Sequence, residues 1–427
     1  MPLHCTMLTM QTSHVIVAGA GIAGLGAALA SARSGLRVTV LEKAESLSEV
    51  GAGLQLGPNA VRVLDDWGLL PQLESVAAEP QRLRIMDARS GRTLAGMDLG
   101  QAMRERYGWP NLTVRRADLQ AVLLEAVRGQ SQVELALGQA LSRVEQTPEA
   151  VAVHTSDGRM RRADALFGCD GLWSAVRSHV RADGAPRATG HIAWRALLPR
   201  SALPAGVAPD QTSVWVAPRL HAVAYPVARG EWLNAVLFTH AGDLHGASQG
   251  EEAGLAAAQD WDLDAQRQAL QQAVSAAHPA LRALVDAAPL WRRWVLHDRP
   301  ALLDPRGYAQ GRVALLGDAA HPMRPHMAQG AAMALEDAQA LAGLAARDGA
   351  EGLPAALAAY ADRRWRRNAR VQLRAQFNGM VMQASGPLRW GRDLAMSLRG
   401  EKLLDMPWLY GFCLLYTSPS PRDQRGS

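Results

Sequence analysis

Cysteine is scarce in this 427-residue chain: Cys5, Cys169 and Cys413 are the only three, odd in number and far apart. That spacing fits a reducing compartment, the cytoplasm by default, and neither a disulfide framework nor a zinc site, so no metal centre is expected. Lysine is scarcer still, with Lys43 and Lys402 alone among 45 basic residues, and 40 acidic residues leave a formal net charge of only +5. The arginine skew reads as codon bias in a GC-rich source and not as a nucleic-acid footprint. Internal repeats and low-complexity linkers are missing. Formal charge is absent from Val15 to Ala32, a stretch long enough to resemble a membrane span or a signal-peptide core. No basic segment precedes it, and its glycines fall at the spacing of a strand, turn and helix; Met7 or Met10 serves equally as the start. What is present, 48% hydrophobic and 20% charged residues, is the composition of a soluble globular protein of two or three domains.

Residues 14–19 (HVIVAG) read as a buried strand, Gly21 to Ser34 as an Ala- and Leu-rich helix closed by Gly35, and Arg37 to Glu42 as a second strand. A helical crossover makes the sheet parallel. A glycine-rich loop (VGAGLQLGPNA), a helix from Asn59 to about Trp67, and a hairpin over 83–87 and 93–99 follow. Arg116 to Arg128 has helical spacing, and strands are expected at 133–137, 140–146, 150–155 and 165–167. From Gly190 to His240 the strands lengthen and alternate (HIAWRALLP, TSVWVAP, HAVAYPV, EWLNAVLFT), which predicts an antiparallel sheet. Residues 252–286 read as helical, RVALL (312–316) as a buried strand returning to the first domain, and most of 329–380 as helix.

Three segments carry chemistry. Gly19-Ala20-Gly21-Ile22-Ala23-Gly24 lies between strand and helix, with Glu42 at the end of the next strand. The first glycine allows the turn, the second lets a pyrophosphate approach the backbone, and the third lets helix and strand pack closely; the helix N-terminus then holds the phosphate. Glu42 is placed to accept hydrogen bonds from a ribose diol. This motif alone does not distinguish NAD from FAD. Gly168-Cys169-Asp170-Gly171 follows a strand and opens a helix, as do Gly317-Asp318-Ala319-Ala320-His321-Pro322 and Gln329-Gly330-Ala331 around a later one. Asp318 suits ribose hydroxyls, and the helix start at Gly330 offers backbone N–H groups to an electron-rich acceptor such as a flavin carbonyl, which favours reduction.

In the order GAGIAG, VLEK, GAGLQLGPNA, RRADL, CDGLWSAVR, GDAAHP, AQGAAMALEDA and MPWLYGF, the chain from about residue 13 to 412 resembles the single-component FAD-dependent aromatic hydroxylases, the salicylate and para-hydroxybenzoate hydroxylase type. The resemblance implies an α/β, Rossmann-like FAD-binding domain with an inserted antiparallel-sheet substrate domain and a C-terminal helical region. The expected boundaries are 13–80, 101–185 and 296–345 for the FAD domain, 81–100 and 186–295 for the substrate domain, and 346–412 for the helices. Residues 413–427, rich in Ser, Pro, Arg and Asp, read as a non-native tail from adapter sequence. Implied FAD contacts are Gly19, Gly21, Gly24, Glu42, Lys43, Arg116, Asp318, Gly330 and Ala331, with Asp170 in a segment that handles both FAD and nicotinamide. NADH or NADPH would reduce FAD, O₂ would add to give a C4a-hydroperoxide, and the ring of a small hydroxylated aromatic or heteroaromatic acid would attack it, with CO₂ lost where the attacked carbon bears a carboxylate. A monomer or homodimer without nucleic-acid or membrane partners is expected.

Within that family the nearest matches are salicylate hydroxylase, 3-hydroxybenzoate 6-hydroxylase and 6-hydroxynicotinate 3-monooxygenase. His221-Ala222-Val223-Ala224-Tyr225-Pro226 is similar to the strand that presents a His and a Tyr to the ring in the latter two. Strand alternation independently puts His221, Val223 and Tyr225 on one face, with His221 and Tyr225 about 13 Å apart. His221, with an ordinary pKa near working pH, is the expected base, and Tyr225 an orienting group. The resemblance implies His326 and Gln55 as substrate-binding residues, His326 orienting the ring or stabilising its charge; His326 resembles the pyridine hydroxylase and Gln55 points the other way, so the substrate stays open. His221 also reads as a structural histidine, Tyr225 as core, His321 as a loop-orienting group, and Arg195 as a site residue or a surface ion pair. The row Arg363, Arg364, Arg366, Arg367, Arg370 reads as a solvated or interdomain helix face. Two other activities fit the fold: epoxidation or hydroxylation of a larger polycyclic or lipid-like substrate, and flavin reductase or NAD(P)H oxidase activity without hydroxylation.

Overall fold

The computed structural model describes residues 12–47, 53–240, 263–347 and 349–413. Expectations that rest on Cys5, Met7, Met10, residues 50–52, residues 252–262 and the tail after residue 413 lie outside the described residues. The chain opens with β1 (His14–Ala18), α1 (Ile22–Arg33) and β2 (Arg37–Leu41), then β3 (Gly53–Leu56), α2 (Pro58–Asp66) and α3 (Leu70–Glu74). The hairpin β4 (Arg82–Asp87) and β5 (Thr93–Asp98) leads through α4 (Gly100–Tyr107) and β6 (Leu112–Arg115) to α5 (Arg116–Arg128). After β7 (Val133–Ala136) come β8 (Leu141–Gln146), β9 (Val151–Thr155), β10 (Met160–Ala163), β11 (Ala165–Gly168) and α6 (Ala175–Val180). Four long strands follow, β12 (Arg187–Pro199), β13 (Gln211–Ala217), β14 (Leu220–Val227) and β15 (Trp232–His240), then α7 (Leu263–Ala273), α8 (Pro279–Ala287) and β16 (Arg292–Asp298). The chain ends with β17 (Ala309–Gln310), β18 (Val313–Leu315), α9 (Gly330–Ala345), α10 (Gly349–Met382), α11 (Gly386–Leu404) and α12 (Pro407–Tyr410).

Strands β1, β2, β11 and β18 are buried on both faces, so they read as unbroken apolar runs, the pattern of a covered parallel sheet. They order as β17-β18-β11-β1-β2-β7, parallel throughout except where β17 joins β18. α1, α5 and α9 cover one face and share a core with it that includes Leu25, Leu29, Leu119, Leu123, Leu335 and Leu341.

The second large sheet orders as β16-β12-β15-β14-β13-β4-β5. Its pairings are antiparallel except that β13 runs parallel to β4. Alternation sorts its residues. Trp194, Ala196, Leu198, Trp215, Ala222, Ala224 and Leu237 pack against Leu270, Val274, Leu281 and Leu284 of α7 and α8. The intervening residues Arg195, Val223, Tyr225, Val236 and Phe238 face the half of the molecule built on the parallel sheet. There the register sets Arg195, Val236 and Val223 in one row across β12, β15 and β14, with Ala193, Phe238 and His221 in the row on one side and Leu197, Asn234 and Tyr225 on the other. This face roofs the site.

Several elements differ from the sequence reading. Gly53–Leu56, expected as loop, pairs antiparallel with β6, because backbone pairing there does not depend on an alternating apolar signal. β16 is an edge strand of charged and half-buried residues, so its pattern hides it. The 263–286 region breaks between Ala273 and Pro279, where His278 caps α8. In the arginine row expected as a solvated or interdomain face, Arg363, Arg366 and Arg370 are exposed, whereas Arg364 and Arg367 turn inward. Arg364 is fully buried, 2.8 Å from Glu336 and 2.7 Å from Asp337, and Arg367 lies 2.6 Å from Glu336. Two acids at inward positions of α9 turn those arginines to the core. By contrast, Phe377, Met380, Trp390, Leu394 and Leu398 on α10 and α11 are exposed. Among the described residues no helix is long and apolar enough to cross a membrane.

Candidate active site

The turn after β1 forms because Gly19 takes φ +97°, and a Cβ there would lie 2.6 Å from the Cys169 carbonyl oxygen. At Gly24 a Cβ would run into the Gly19 carbonyl oxygen, so this glycine serves the packing of α1 on the turn. Gly21 differs: a Cβ there would meet only Arg116 Nη2, at 3.9 Å, and it would project into open space. Gly21 is also the N-cap of α1 and supplies no capping side chain, so the first amides of α1 face that space. Glu42 accepts from the Ala20 amide at 2.8 Å and the Ala44 amide at 2.9 Å, tying β2 to the turn. Lys43 beside it is exposed.

The open space is a cavity of about 270 Å³. Gly21, Arg116, Asp318, Gly330 and Ala331 line it from below, Gln55 from the side, and Arg195, Val223, Tyr225, Val236 and Phe238 from the roof. α9 starts at Gly330 with no side-chain cap and no acid in its first turn, so a second set of unpaired amides points into the same cavity. A Cβ at Gly330 would find no atom nearer than Asp318 Oδ1 at 3.9 Å. Asp318 is surrounded by protein groups, yet its own surface is open because it faces the cavity. Burial raises its pKa, and His321 and Arg116 offset part of that.

The turn that carries Asp318 is fastened from beneath. Gly317 has φ +57° and lies against α1, where a Cβ would stand 2.8 Å from Ala23. Asp337 Oδ2 lies 2.5 Å from His321 Nε2 and accepts from the Gly317 amide at 3.3 Å, while its Oδ1 accepts from Arg364 at 2.7 Å and Asn368 at 3.0 Å. Burial alone would raise the Asp337 pKa; His321 and Arg364 override it and hold the group well below the usual carboxylate range. His321 is therefore the orienting residue its sequence position suggests.

Asp170 does not face the cavity. Its carboxylate accepts from Ser174 Oγ at 2.5 Å and from the Ala175 and Val176 amides at 2.8 and 3.1 Å, capping α6. Arg177, 1% exposed, donates to the Ala319 and Ala320 carbonyls at 2.9 and 2.8 Å and so joins this segment to the Asp318 turn. The sequence reading gave Arg177 no role.

On the roof, Tyr225 is buried; burial raises its pKa and Arg195 opposes the rise. His221 shares its face but is 1% exposed and does not line the cavity. Its ring stacks on Phe238 at 4.4 Å, and His326 covers it at 5.0 Å. Burial, then His326 and His191, hold its pKa well below the ordinary histidine value. The expected titration near working pH is thereby corrected: His221 is neutral there. His326 behaves likewise, lowered to about 4 by burial, His191 and Arg324. Gly53, whose amide donates to Asn234 Oδ1 at 2.9 Å, joins the β3–β6 pair to the roof. Its contact is specified only by tertiary packing, which no local pattern reveals.

Two helix N-termini and a glycine cradle at one wall, set against an antiparallel roof, define a dinucleotide-dependent oxidoreductase whose reaction chamber lies between two domains. The residues present suit a dinucleotide such as FAD: α1 and Arg116 offer positive charge that a pyrophosphate would use, Glu42 lies at the end of the strand beside that turn, and the α9 amides are further donors open to the cavity. Residues 12–375 match the FAD-binding domain family. The 3-hydroxybenzoate 6-hydroxylase of Polaromonas naphthalenivorans is 36% identical over 93% of this chain and 96% of its own length. The 3-amino-4-hydroxybenzoate 2-monooxygenase of Streptomyces cremeus is 38% identical over 93% and 95%. The structure of Klebsiella pneumoniae HpxO with FAD and uric acid superposes with a TM-score of 0.79 at 26% identity, covering 92% of this chain and 94% of that one. The chain belongs to the FAD-binding domain family, and it is an FAD-dependent aromatic monooxygenase.

Proposed function

We propose that the chain hydroxylates a small aromatic or heteroaromatic carboxylic acid that already carries a ring hydroxyl, using NADH or NADPH and O₂ in the cytoplasm. The observation that supports this most is the cavity itself. Its apolar roof, Val223, Val236 and Phe238, suits a flat ring, and Tyr225, Arg195 and Gln55 bring a few polar groups to its edges.

Bound FAD supplies hydride acceptance and oxygen activation. The chain's own residues do the rest. The domain interface shuts water out of the chamber, and the roof orients the ring. Tyr225, kept neutral by burial, hydrogen-bonds the ring hydroxyl. His326, lowered to about 4, and His221, held by burial well below the ordinary histidine value, offer neutral ring nitrogens as hydrogen-bond acceptors for its proton, which makes the ring carbon more nucleophilic. For His221 this requires His326 to yield its place to the ring. Arg116 and the α1 amides hold the pyrophosphate, with Glu42, Lys43 and Asp318 along the cofactor.

The test is to supply the flavin-loaded protein with NAD(P)H, O₂ and a panel of salicylate, 3-hydroxybenzoate, 6-hydroxynicotinate and 3-amino-4-hydroxybenzoate. Substrate-stimulated oxidation with a hydroxylated product is expected for at least one of them. Peroxide formed without any hydroxylated acid rules the proposal out. His221→Ala is expected to slow hydroxylation ~10²-fold with FAD retained.

A further inference from the structure

The roof carries a cation that the protein does not neutralise. Arg195 lies on the cavity face of β12 and lines the cavity. Its guanidinium stacks over Trp294 at 5.1 Å, and its Nε is buried without a hydrogen-bond partner. Among the described residues no carboxylate forms an ion pair with it. Burial is the main influence on its pKa, pulling it down, with Tyr225 opposing and Arg116 adding to the fall, and its register partner on β16 is another cation, Arg292. Other arginines of this fold have their charge met by the chain: Arg177 and Arg299 pair with Asp183, Arg364 with Glu336 and Asp337, and Arg367 with Glu336, while Arg312, buried without a carboxylate, donates to the Pro148, Asp164 and Ala350 carbonyls. Withdrawing a guanidinium from water without a counter-ion costs several kcal/mol. A chain that keeps Arg195 in this state holds it ready for an anion from outside.

We infer that Arg195 is the specificity residue of the chamber, anchoring the carboxylate of an aromatic acid whose ring lies on Val236 and Val223. The inference rests on the reading of the chamber as an aromatic-acid site and adds which group reads the acid. Arg195, Val236 and Val223 are register partners, so the cation stands at one end of an apolar row two strand spacings long, roughly 10 Å. That span matches a benzoate-sized molecule laid along it with its carboxylate on the guanidinium. Arg116 serves a different anion: its Nη2 lies beside Gly21, at the start of α1 where a pyrophosphate would sit. The planar fork of Arg195, already oriented by Trp294, suits two parallel N–H···O bonds to a carboxylate, a geometry a lysine cannot reproduce.

Binding to the flavin-loaded protein separates this from the proposed activity. Dissociation constants would be measured by calorimetry and by perturbation of the flavin spectrum for 3-hydroxybenzoate, salicylate and 6-hydroxynicotinate, each beside its neutral carboxamide. The wild type is expected to prefer at least one acid over its amide by ~10²-fold or more. In Arg195→Met that preference should collapse through weaker acid binding, with the amide changed less than about threefold and FAD retained; Arg195→Lys should recover part of it. A wild type with no preference for any acid overturns the inference. So does an Arg195→Met protein that keeps the preference, or that loses FAD instead. Acid binding that depends on Arg195 without any hydroxylated product would leave the anchor standing and remove the proposed reaction.

Discussion

Gly53 and Tyr225 touch across the two halves of the molecule so closely that a methyl group on Gly53 would stand 2.8 Å from the Tyr225 ring, and 2.6 Å from Asn234 beside it. The position of the roof tyrosine is thus fixed by a glycine 172 residues earlier in the chain. Gly53→Ala should displace Tyr225 or open the joint while leaving the phosphate end untouched. The expected result is unchanged FAD affinity with NADH oxidation increasingly uncoupled from product, read as peroxide released per hydroxylated acid. Full coupling in this variant would show that the contact does not position the ring.

The glycines of the first turn should separate by role. Gly24→Ala pushes a methyl into the Gly19 carbonyl, an overpacking that costs about 1–3 kcal/mol or more and should lower the melting temperature by several degrees even with FAD present. Gly21→Ala meets nothing but Arg116 at 3.9 Å, so the apoprotein should melt as the wild type does while its FAD dissociation constant rises tenfold or more. Equal effects of the two on apoprotein stability would contradict the assignment.

Removing the charge of Asp337 leaves Arg364 with one buried partner fewer, and Asp337→Asn should cost about 3–5 kcal/mol in denaturant titration. The sign of the pH effect follows from the lowered pKa of a carboxylate. Its stabilisation is complete above about pH 4 and is lost as pH falls through the lower folded-state value. Wild-type stability should therefore drop on acidification below pH 4, and the variant should show a shallower drop from a lower starting point.

The buried histidines act in the opposite window. A histidine whose pKa falls to about 4 on folding binds fewer protons in the native state than in the unfolded one between about pH 4 and 6.5, so stability rises with pH across that range. His326→Gln should reduce that slope, by about 1–3 kcal/mol integrated over the window, in melting curves taken at half-unit steps. An unaltered slope would mean that His326 protonates freely in the folded protein.

Much of this was legible beforehand where chemistry and local structure coincide. The GAGIAG turn, the α9 start at Gly330 and the alternation around Tyr225 are local signals, and each names both an element and its task. Arg195 could be read as a site group or a surface pair, and only the register of β12 against β15 and β14 decides for the cavity. Long-range contacts left no trace: Gly53 on Asn234, Arg177 on the Asp318 turn, and the inward-facing Arg364 depend on residues far away in the chain. Burial changed chemistry as well as position, since His221 has an ordinary histidine's sequence and a neutral histidine's behaviour. Asp170 carries the right motif, but in this structure its oxygens are engaged in capping α6.

The knot of Asp337, His321, Arg364 and Asn368 fastens the Asp318 turn with the chain's own groups. Stripped of its yellow guest, the protein should therefore keep a ready mould. Colour and turnover should return as fast as the dinucleotide can diffuse in and settle, with no slow refolding phase.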